Sequence, residues 1–171
     1  MSAQLKNHLS RRVFSITRMF DAPRRQVWDA WSQADALARW WGPKGCALNV
    51  PALEFCPGGL FHYKMSFPDG KIFWGRFVYR EIAAPHKLVF LDSFSNPACG
   101  VARAPFNDKY PLEILNTVTF DERGDRTSVT LEATPFGAMD DEREFFENLA
   151  PSLGDGYGGT FDQLAEHLAK R

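Results

Sequence analysis

The chain has 171 residues and a formal net charge of −1, from 20 basic and 21 acidic residues. This balance excludes the electrostatic footprint of a general nucleic-acid binder, and no run approaches the roughly 18 continuous apolar residues of a membrane span. Its 15 Phe, 5 Trp and 4 Tyr exceed the needs of a minimal core, which favours a large core or an internal cavity. Because residues 1–12 lack the apolar run of a signal peptide, we expect a cytoplasmic protein with a flexible segment 1–12 and one domain over residues 13–170.

A strand and two short helices are predicted first. Alternation in RRVFSITRMF predicts the strand. Asp21 is a predicted helix N-cap with Pro23 in the first turn, and Ser32 is a predicted cap between the helices. Apolar residues at i, i+3, i+4 spacing mark the two helices: Val27, Ala30 and Trp31, then Leu37, Trp40 and Trp41. Gly42-Pro43 is predicted to end the second helix.

Six strand-like runs follow: CALNVPALEF, LFHYKMSF, KIFWGRFVYREI, KLVFLDSF, LEILNTVTF and RTSVTLEAT. Most are joined by short turns rich in Gly, Pro and Asp, such as Pro68-Asp69-Gly70. Short joints require antiparallel neighbours, because a parallel return needs a dozen or more residues. The exception is Ser95–Pro111, which is predicted to be an insertion-like loop.

The C-terminal part returns to helical spacing. Asp140 is predicted to cap a first helical stretch, and Phe161, Leu164 and Leu168 form a later apolar stripe. The intervening PSLGDGYGG holds four glycines, each of which costs a helix about 1 kcal/mol, so we expect a flexible break here and a candidate gate to a cavity beneath. Its GxGxxG spacing lacks the preceding strand and βαβ unit that dinucleotide binding requires.

The predicted order is therefore one strand, two helices, six strands and a C-terminal helix (β-α-α, then six β, then α). A curved antiparallel sheet of this length needs cover on one face, and the C-terminal helix is the obvious cover. If curvature holds that helix off the sheet, an apolar pocket lies between them. The sequence thus predicts an α+β fold with seven strands around a long C-terminal helix.

Several segments resemble one family: FDAPRRQVWDAWSQADALARWWGPKG, PGG followed by FHYKM, GRFVYREIAAPHKLVF, and GGTFDQLAEHL. The chain resembles the bacterial branch of the activator of heat-shock-protein-90 ATPase homologues, within the START-like or SRPBCC superfamily, from about Val13 to Leu168. The resemblance implies a helix-grip fold, as in birch-pollen-allergen-like proteins, with an internal cavity. It also implies ligands such as lipids, hormones or polyketides, and cyclase activity in some relatives. Two departures are a longer Ser95–Pro111 loop and Cys56 where the family often has a basic residue.

Thirteen residues are expected to surround the cavity: Trp41, Phe61, Tyr63, Met65, Trp74, Phe77, Phe90, Val118, Leu131, Phe145, Leu149, Phe161 and Leu164. Of the two adjacent tryptophans, one is expected to anchor the second helix and the other to lie at a cavity mouth; the sequence does not choose between Trp40 and Trp41. We expect no catalytic residue, metal site or cofactor.

Polar candidates are few. His62 is expected to face outward into solvent. The three cysteines show no CxxC spacing, and buried, inert thiols are favoured. Most strand carboxylates should lie on the solvent side, but an inward one would be expensive and therefore a functional candidate. Strand parity alone does not select one from the five: Glu54, Glu81, Asp92, Glu113 and Glu132.

Three functions are compatible with these features. The preferred one is binding of a small hydrophobic ligand in the cavity, by a monomer or homodimer with no nucleic acid and no membrane span. The second is a co-chaperone-like interaction module in the stress response, which stimulates a chaperone ATPase. The third is a cavity enzyme of the cyclase or dehydratase type, which needs an inward-pointing acid or base.

Overall fold

The computed structural model describes residues 14–170, so the predicted flexible segment 1–12 and Val13 lie outside the described residues. Twelve elements follow in chain order: β1 Phe14–Phe20, α1 Arg24–Ser32, α2 Ala34–Trp40, β2 Ala47–Leu53, β3 Leu60–Ser66, β4 Ile72–Ala83, β5 Lys87–Ser95, β6 Val101–Ala102, β7 Glu113–Arg123, β8 Arg126–Phe136, α3 Asp140–Asn148 and α4 Ala150–Ala169. None of the helices in this part of the chain is long and apolar enough to cross a membrane.

The strands form one antiparallel sheet in the order β1-β8-β7-β5-β4-β3-β2, and the two-residue β6 adds to β5. The seven long strands and the C-terminal helix confirm the predicted helix-grip architecture. We call the sheet face that packs against α4 and the core the inner face. Alternation along each strand produces this face; in β5, for example, Leu88 and Phe90 are buried while Val89 and Leu91 are half-buried.

Helices α1 and α2 close one end of the sheet with a cluster of large aromatic rings. Trp31 and Trp40 meet edge to face at 4.8 Å, and Trp31 also contacts Phe120 of β7. Trp40 is fully buried, and its indole N–H donates a 2.8 Å hydrogen bond to the carbonyl oxygen of Ala30. Trp40 is therefore the anchor that fixes α2 against α1.

The predicted caps are displaced by one or two residues. The residue before α1 is Pro23, and Asp21 instead accepts a 2.7 Å hydrogen bond from Arg126. Ser32 ends α1 and α2 follows Gln33, while Asp140 is the first residue of α3 rather than its cap. The starts of α1 and α2 have no side-chain cap, so packing of the aromatic cluster decides them. The start of α3 is capped locally, because Glu142 accepts a 3.0 Å hydrogen bond from the Met139 backbone N–H.

The predicted break in the glycine segment is wrong, because α4 is continuous from Ala150 to Ala169. The chain interrupts its helix earlier, at Leu149 between α3 and α4. The conformational cost of the glycines is offset by the apolar side of α4, where Phe161 and Leu164 are fully buried. Gly154 has open space where a Cβ atom would be, so no close packing requires its lack of a side chain.

Candidate functional site

A cavity of about 230 Å³ lies between the inner face of β3–β5, the first half of α4 and the segment that follows α2. Its wall is mostly apolar and strongly aromatic. The sheet and the segment before β7 contribute Tyr63, Met65, Gly75, Asp92, Ser93, Phe94, Tyr110 and Ile114. The α2–β2 segment and α4 contribute Trp41, Gly42, Pro43, Ser152, Leu153, Gly156, Tyr157 and Thr160.

The adjacent tryptophans have different roles. The backbone of Trp41 leaves the helical conformation (φ −71°, ψ 144°), although its N–H still bonds to Leu37. This change directs its side chain toward the sheet, where its ring meets Phe77 at 5.1 Å while it still contacts the ring of the buried Trp40 edge to face at 5.6 Å. Trp40 is thus the anchor and Trp41 the cavity residue, which resolves the alternative that the sequence left open.

Gly75 makes room for a tyrosine in the cavity wall. Gly75 of β4 lies directly opposite Tyr63 of β3 in the ladder. A Cβ atom at position 75 would lie 2.3 Å from Cζ of Tyr63 and 2.5 Å from its hydroxyl oxygen. The Tyr63 ring therefore lies flat over the glycine, a close approach that only glycine permits.

Asp92 is the inward carboxylate of the sheet. It shares the inner face of β5 with Phe90 and Phe94 and keeps part of its surface accessible, which faces the cavity. Within residues 14–170 no hydrogen bond or ion pair reaches its carboxylate. Burial away from bulk water raises the pKa of Asp92 from 3.8 to about 7, because the apolar surroundings disfavour the charged form.

Three tyrosines share the cavity with this carboxyl group. For Tyr63, Tyr110 and Tyr157, burial raises the pKa of the hydroxyl, and the nearby charge of Asp92 raises it further. All three therefore keep their protons at neutral pH and present neutral hydroxyl groups. Tyr157 is fixed by stacking on Phe14 at 5.6 Å, so strand β1 helps to orient the α4 side of the wall.

The mouth of the cavity lies between the exposed Pro43 and the exposed Ser152 and Gly156 of α4. Hydrogen bonds between α4 and the α2–β2 segment hold one side of this opening in place. The Gly42 carbonyl oxygen accepts hydrogen bonds from Thr160 at 3.0 Å and from Gln163 at 2.7 Å.

A surface ion cluster lies close to these hydrogen bonds to Gly42. Asp162 binds both Arg18 at 2.6 Å and Lys44 at 3.0 Å. Hydrogen bonds from these two cations lower the pKa of the Asp162 carboxyl group. The second half of α4 is therefore linked by polar contacts to both β1 and the α2–β2 segment.

The structure places three of the predicted residues on the cavity wall, namely Trp41, Tyr63 and Met65. Seven others are buried in the filled core beside it: Phe61, Phe77, Phe90, Val118, Leu131, Phe161 and Leu164. Phe145 and Leu149 are half-buried around the end of α3, away from the wall. Trp74 lies on the outer face, because it alternates with Gly75 and points the opposite way.

His62 is on the outer face as predicted, but the prediction that it is solvated is wrong. Only 5% of its surface is exposed. Its ring stacks on Trp74 at 4.9 Å, and its Nε2 lies 3.2 Å from the carbonyl oxygen of Asn96. The start of the Ser95–Pro111 segment folds over this face, and Arg76 holds it by donating a 2.6 Å hydrogen bond to the Cys99 carbonyl oxygen.

The cysteines and metal-binding side chains give no site in the described part of the chain. Cys56 is exposed rather than buried, because β2 ends at Leu53 and leaves position 56 in a turn. Cys46 and Cys99 are half-buried, and all three thiols are free. Within residues 14–170, no three side chains of His, Cys, Asp or Glu converge as a metal ion would require.

Sequence reasoning missed most of the polar wall. Asp92 is one of five strand carboxylates that strand parity does not separate, and nothing in the sequence marks Gly75 as the partner of Tyr63 in the ladder. Tyr110 comes from the insertion-like loop, where no periodicity indicates direction. Tyr157 did have a usable signal, since it precedes Phe161 by four residues on the apolar stripe of α4.

A curved antiparallel sheet, a C-terminal helix across its inner face and a cavity between them define a helix-grip, START-like domain. The chain belongs to the Activator of Hsp90 ATPase homolog 1-like protein family, whose model matches residues 21–169.

Solved structures agree with this assignment. A protein from Arthrobacter aurescens is 28% identical, with a TM-score of 0.79 over 95% of this chain and 89% of that one. Protein Ms6760 from Mycobacterium smegmatis is 24% identical, with a TM-score of 0.75 over 95% and 94% of the two chains. Protein NE0264 from Nitrosomonas europaea is 20% identical, with a TM-score of 0.74 over 94% and 96%. A comparison with curated proteins finds no match.

Proposed function

We propose that the protein binds a small, mostly apolar molecule in the cavity beneath α4. The observation that carries this proposal is a wall of aromatic and aliphatic side chains, including Trp41, Met65 and Leu153, around an opening to solvent. Burial of apolar ligand surface at about 25 cal/mol per Å² would supply most of the affinity, and the few polar groups would orient the ligand.

The size of the cavity limits the ligand. Its volume of about 230 Å³ is below the roughly 300–1,000 Å³ of pockets for drug-sized molecules. One or two rings, or an equivalent branched chain, fit this space. Long lipid chains would require α4 to move away from the sheet.

The test is a titration with naphthalene and 2-naphthol, followed by calorimetry and by tryptophan fluorescence. We expect saturable binding with one site per chain. Leu153→Trp places a large ring in the cavity from α4 and should abolish this binding. Asp155→Trp adds the same ring on the exposed side of the same helix and should bind like the parent protein. Equal binding by both variants, or no uptake by the parent protein, would refute the proposal.

A second candidate is a cavity enzyme of the cyclase or dehydratase type. The observation that favours it is the carboxyl group of Asp92, whose pKa near 7 suits an acid or base at neutral pH. Incubation with small β-hydroxy ketones, followed by mass spectrometry, should then show loss of water that disappears in Asp92→Asn. Unchanged substrates would argue against this activity.

The co-chaperone alternative stays a prediction, along with a cytoplasmic, stress-related role and a monomeric or homodimeric state. The co-chaperone function requires an exposed apolar patch that a chaperone could contact. Phe106 and Met139, with 61% and 70% of their surfaces exposed, are the largest candidates among residues 14–170. The direct measurement is the ATPase rate of an Hsp90-type chaperone with and without the protein, and an unchanged rate would exclude stimulation.

A further inference from the structure

The charge of the cavity wall is one-sided. Among the residues that line the cavity, Asp92 is the one carboxylic acid, and the lining contains no Lys, Arg or His. No ion pair or hydrogen bond from residues 14–170 neutralises the carboxylate. A purely apolar ligand would leave this group facing it without a partner, at an energetic cost.

The other notable feature is the number of aromatic rings. Trp41, Tyr63, Phe94, Tyr110 and Tyr157 all contribute to the wall. The rings of Tyr63 and Tyr157 each lie about 6.5 Å from that of Trp41, centre to centre. Aromatic faces attract cations, and the attraction is strongest in desolvated sites of this kind.

We propose that the cavity binds a small organic cation, an ammonium group on an apolar body, with Asp92 as its counter-ion and the rings of Trp41, Tyr63 and Tyr157 beside it. This inference rests on the proposed function, since it specifies the ligand class of the same cavity. Repulsion from the ionised carboxylate disfavours an anionic ligand above pH 7. A neutral hydrogen-bond acceptor is the competing class, because protonated Asp92 would donate to it.

The two classes differ in their response to pH. A cation requires ionised Asp92, so its affinity rises with pH, whereas an acceptor requires the protonated acid, so its affinity falls. The titratable groups that face Asp92 are Tyr63 from β3, Tyr110 from the segment before β7, and Tyr157 from α4. All three remain protonated between pH 6 and pH 8. With the pKa of Asp92 at about 7, the affinity for a fixed cation should rise about tenfold across this range.

The experiment compares phenyltrimethylammonium with tert-butylbenzene, which has the same shape and no charge. The cation carries a permanent charge, so any pH dependence reports on the protein. We expect it to bind at least tenfold more tightly than tert-butylbenzene at pH 8. Asp92→Asn should reduce this ratio several-fold and remove its pH dependence, and the remaining preference is the contribution of the aromatic rings. Asp162→Asn, which removes a carboxylate outside the cavity, should leave the ratio unchanged.

The outcomes separate this inference from the proposed function. Binding of tert-butylbenzene as tight as that of the cation would overturn the inference and leave apolar binding intact. Tighter binding of acetophenone than of the cation, with affinity that falls as pH rises, would overturn it in favour of an acceptor ligand. Failure of all three compounds to bind would overturn both proposals. Circular dichroism of each variant checks that a reduced affinity ratio between the cation and tert-butylbenzene does not come from unfolding.

Discussion

Replacing Asp92 by Asn should remove a pH-dependent loss of stability that the wild-type cavity imposes. Asn has nearly the same shape as protonated Asp and carries no charge. In the folded protein Asp92 titrates at about 7, against an ordinary value of 3.8. Between these two values the folded state binds one more proton than the unfolded state. The free energy of unfolding of the wild type therefore falls as pH rises through this window.

The magnitude follows from the two pKa values. A difference of about three pH units corresponds to about 4 kcal/mol, fully developed above pH 7 and absent below pH 4. Water that enters the cavity would solvate the carboxylate and reduce this figure, so about 2–4 kcal/mol is the expected range. This is a large fraction of the 5–15 kcal/mol that stabilises a typical domain.

The assay is urea unfolding of wild type and Asp92→Asn at several pH values from 4.5 to 8.5, followed by tryptophan fluorescence. Subtracting the two curves of unfolding free energy against pH cancels the contributions of all other titrating groups. We expect the variant to be close to wild type at pH 4.5 and increasingly more stable toward pH 8. A difference that does not change with pH would refute the reasoning, because it would mean that the carboxyl group titrates alike in both states.

Three further substitutions test the packing by urea unfolding. Gly75→Ala should cost about 1–3 kcal/mol and weaken naphthol binding, because the new methyl group displaces the Tyr63 ring; wild-type stability would contradict the close approach. Trp40→Phe should cost about 2 kcal/mol, since the Ala30 carbonyl oxygen loses its buried donor, and an unchanged midpoint would show that this bond contributes little. Gly154→Ala should stabilise by about 0.5–1 kcal/mol, because its methyl group meets open space; destabilisation would mean that this position is not regular helix.

The fold was predictable because its signals are local and repeated. Alternation along each strand and short turns between strands determine antiparallel neighbours, and the stripe of Phe161 and Leu164 identifies the covering helix. The break in α4 was mispredicted for a related reason. Glycine propensity is a local quantity, and the buried side of the helix overrides it.

The polar part of the site was not predictable from the sequence in the same way. Alternation shows that Asp92 and Phe90 share a face, but a carboxylate on a buried face violates the pattern that the prediction relies on. The direction of Tyr110 depends on a loop without periodicity, where it lies between Phe94 and Phe146. The role of Gly75 appears only once the ladder places it opposite Tyr63.

The two halves of helix α4 are held to the domain by different contacts. In the described part of the chain, its side-chain hydrogen bonds and ion pairs to β1 and the α2–β2 segment come from Thr160, Asp162 and Gln163. Residues 150–159 contain all four glycines and contact the rest of the domain through side chains such as Leu153 and Tyr157. The second half thus has polar contacts that hold it in place, whereas the first half relies on apolar contacts alone, so we expect the first half to bend more readily. A ligand that fills the cavity should then hold this half against the sheet and set the width of the entrance.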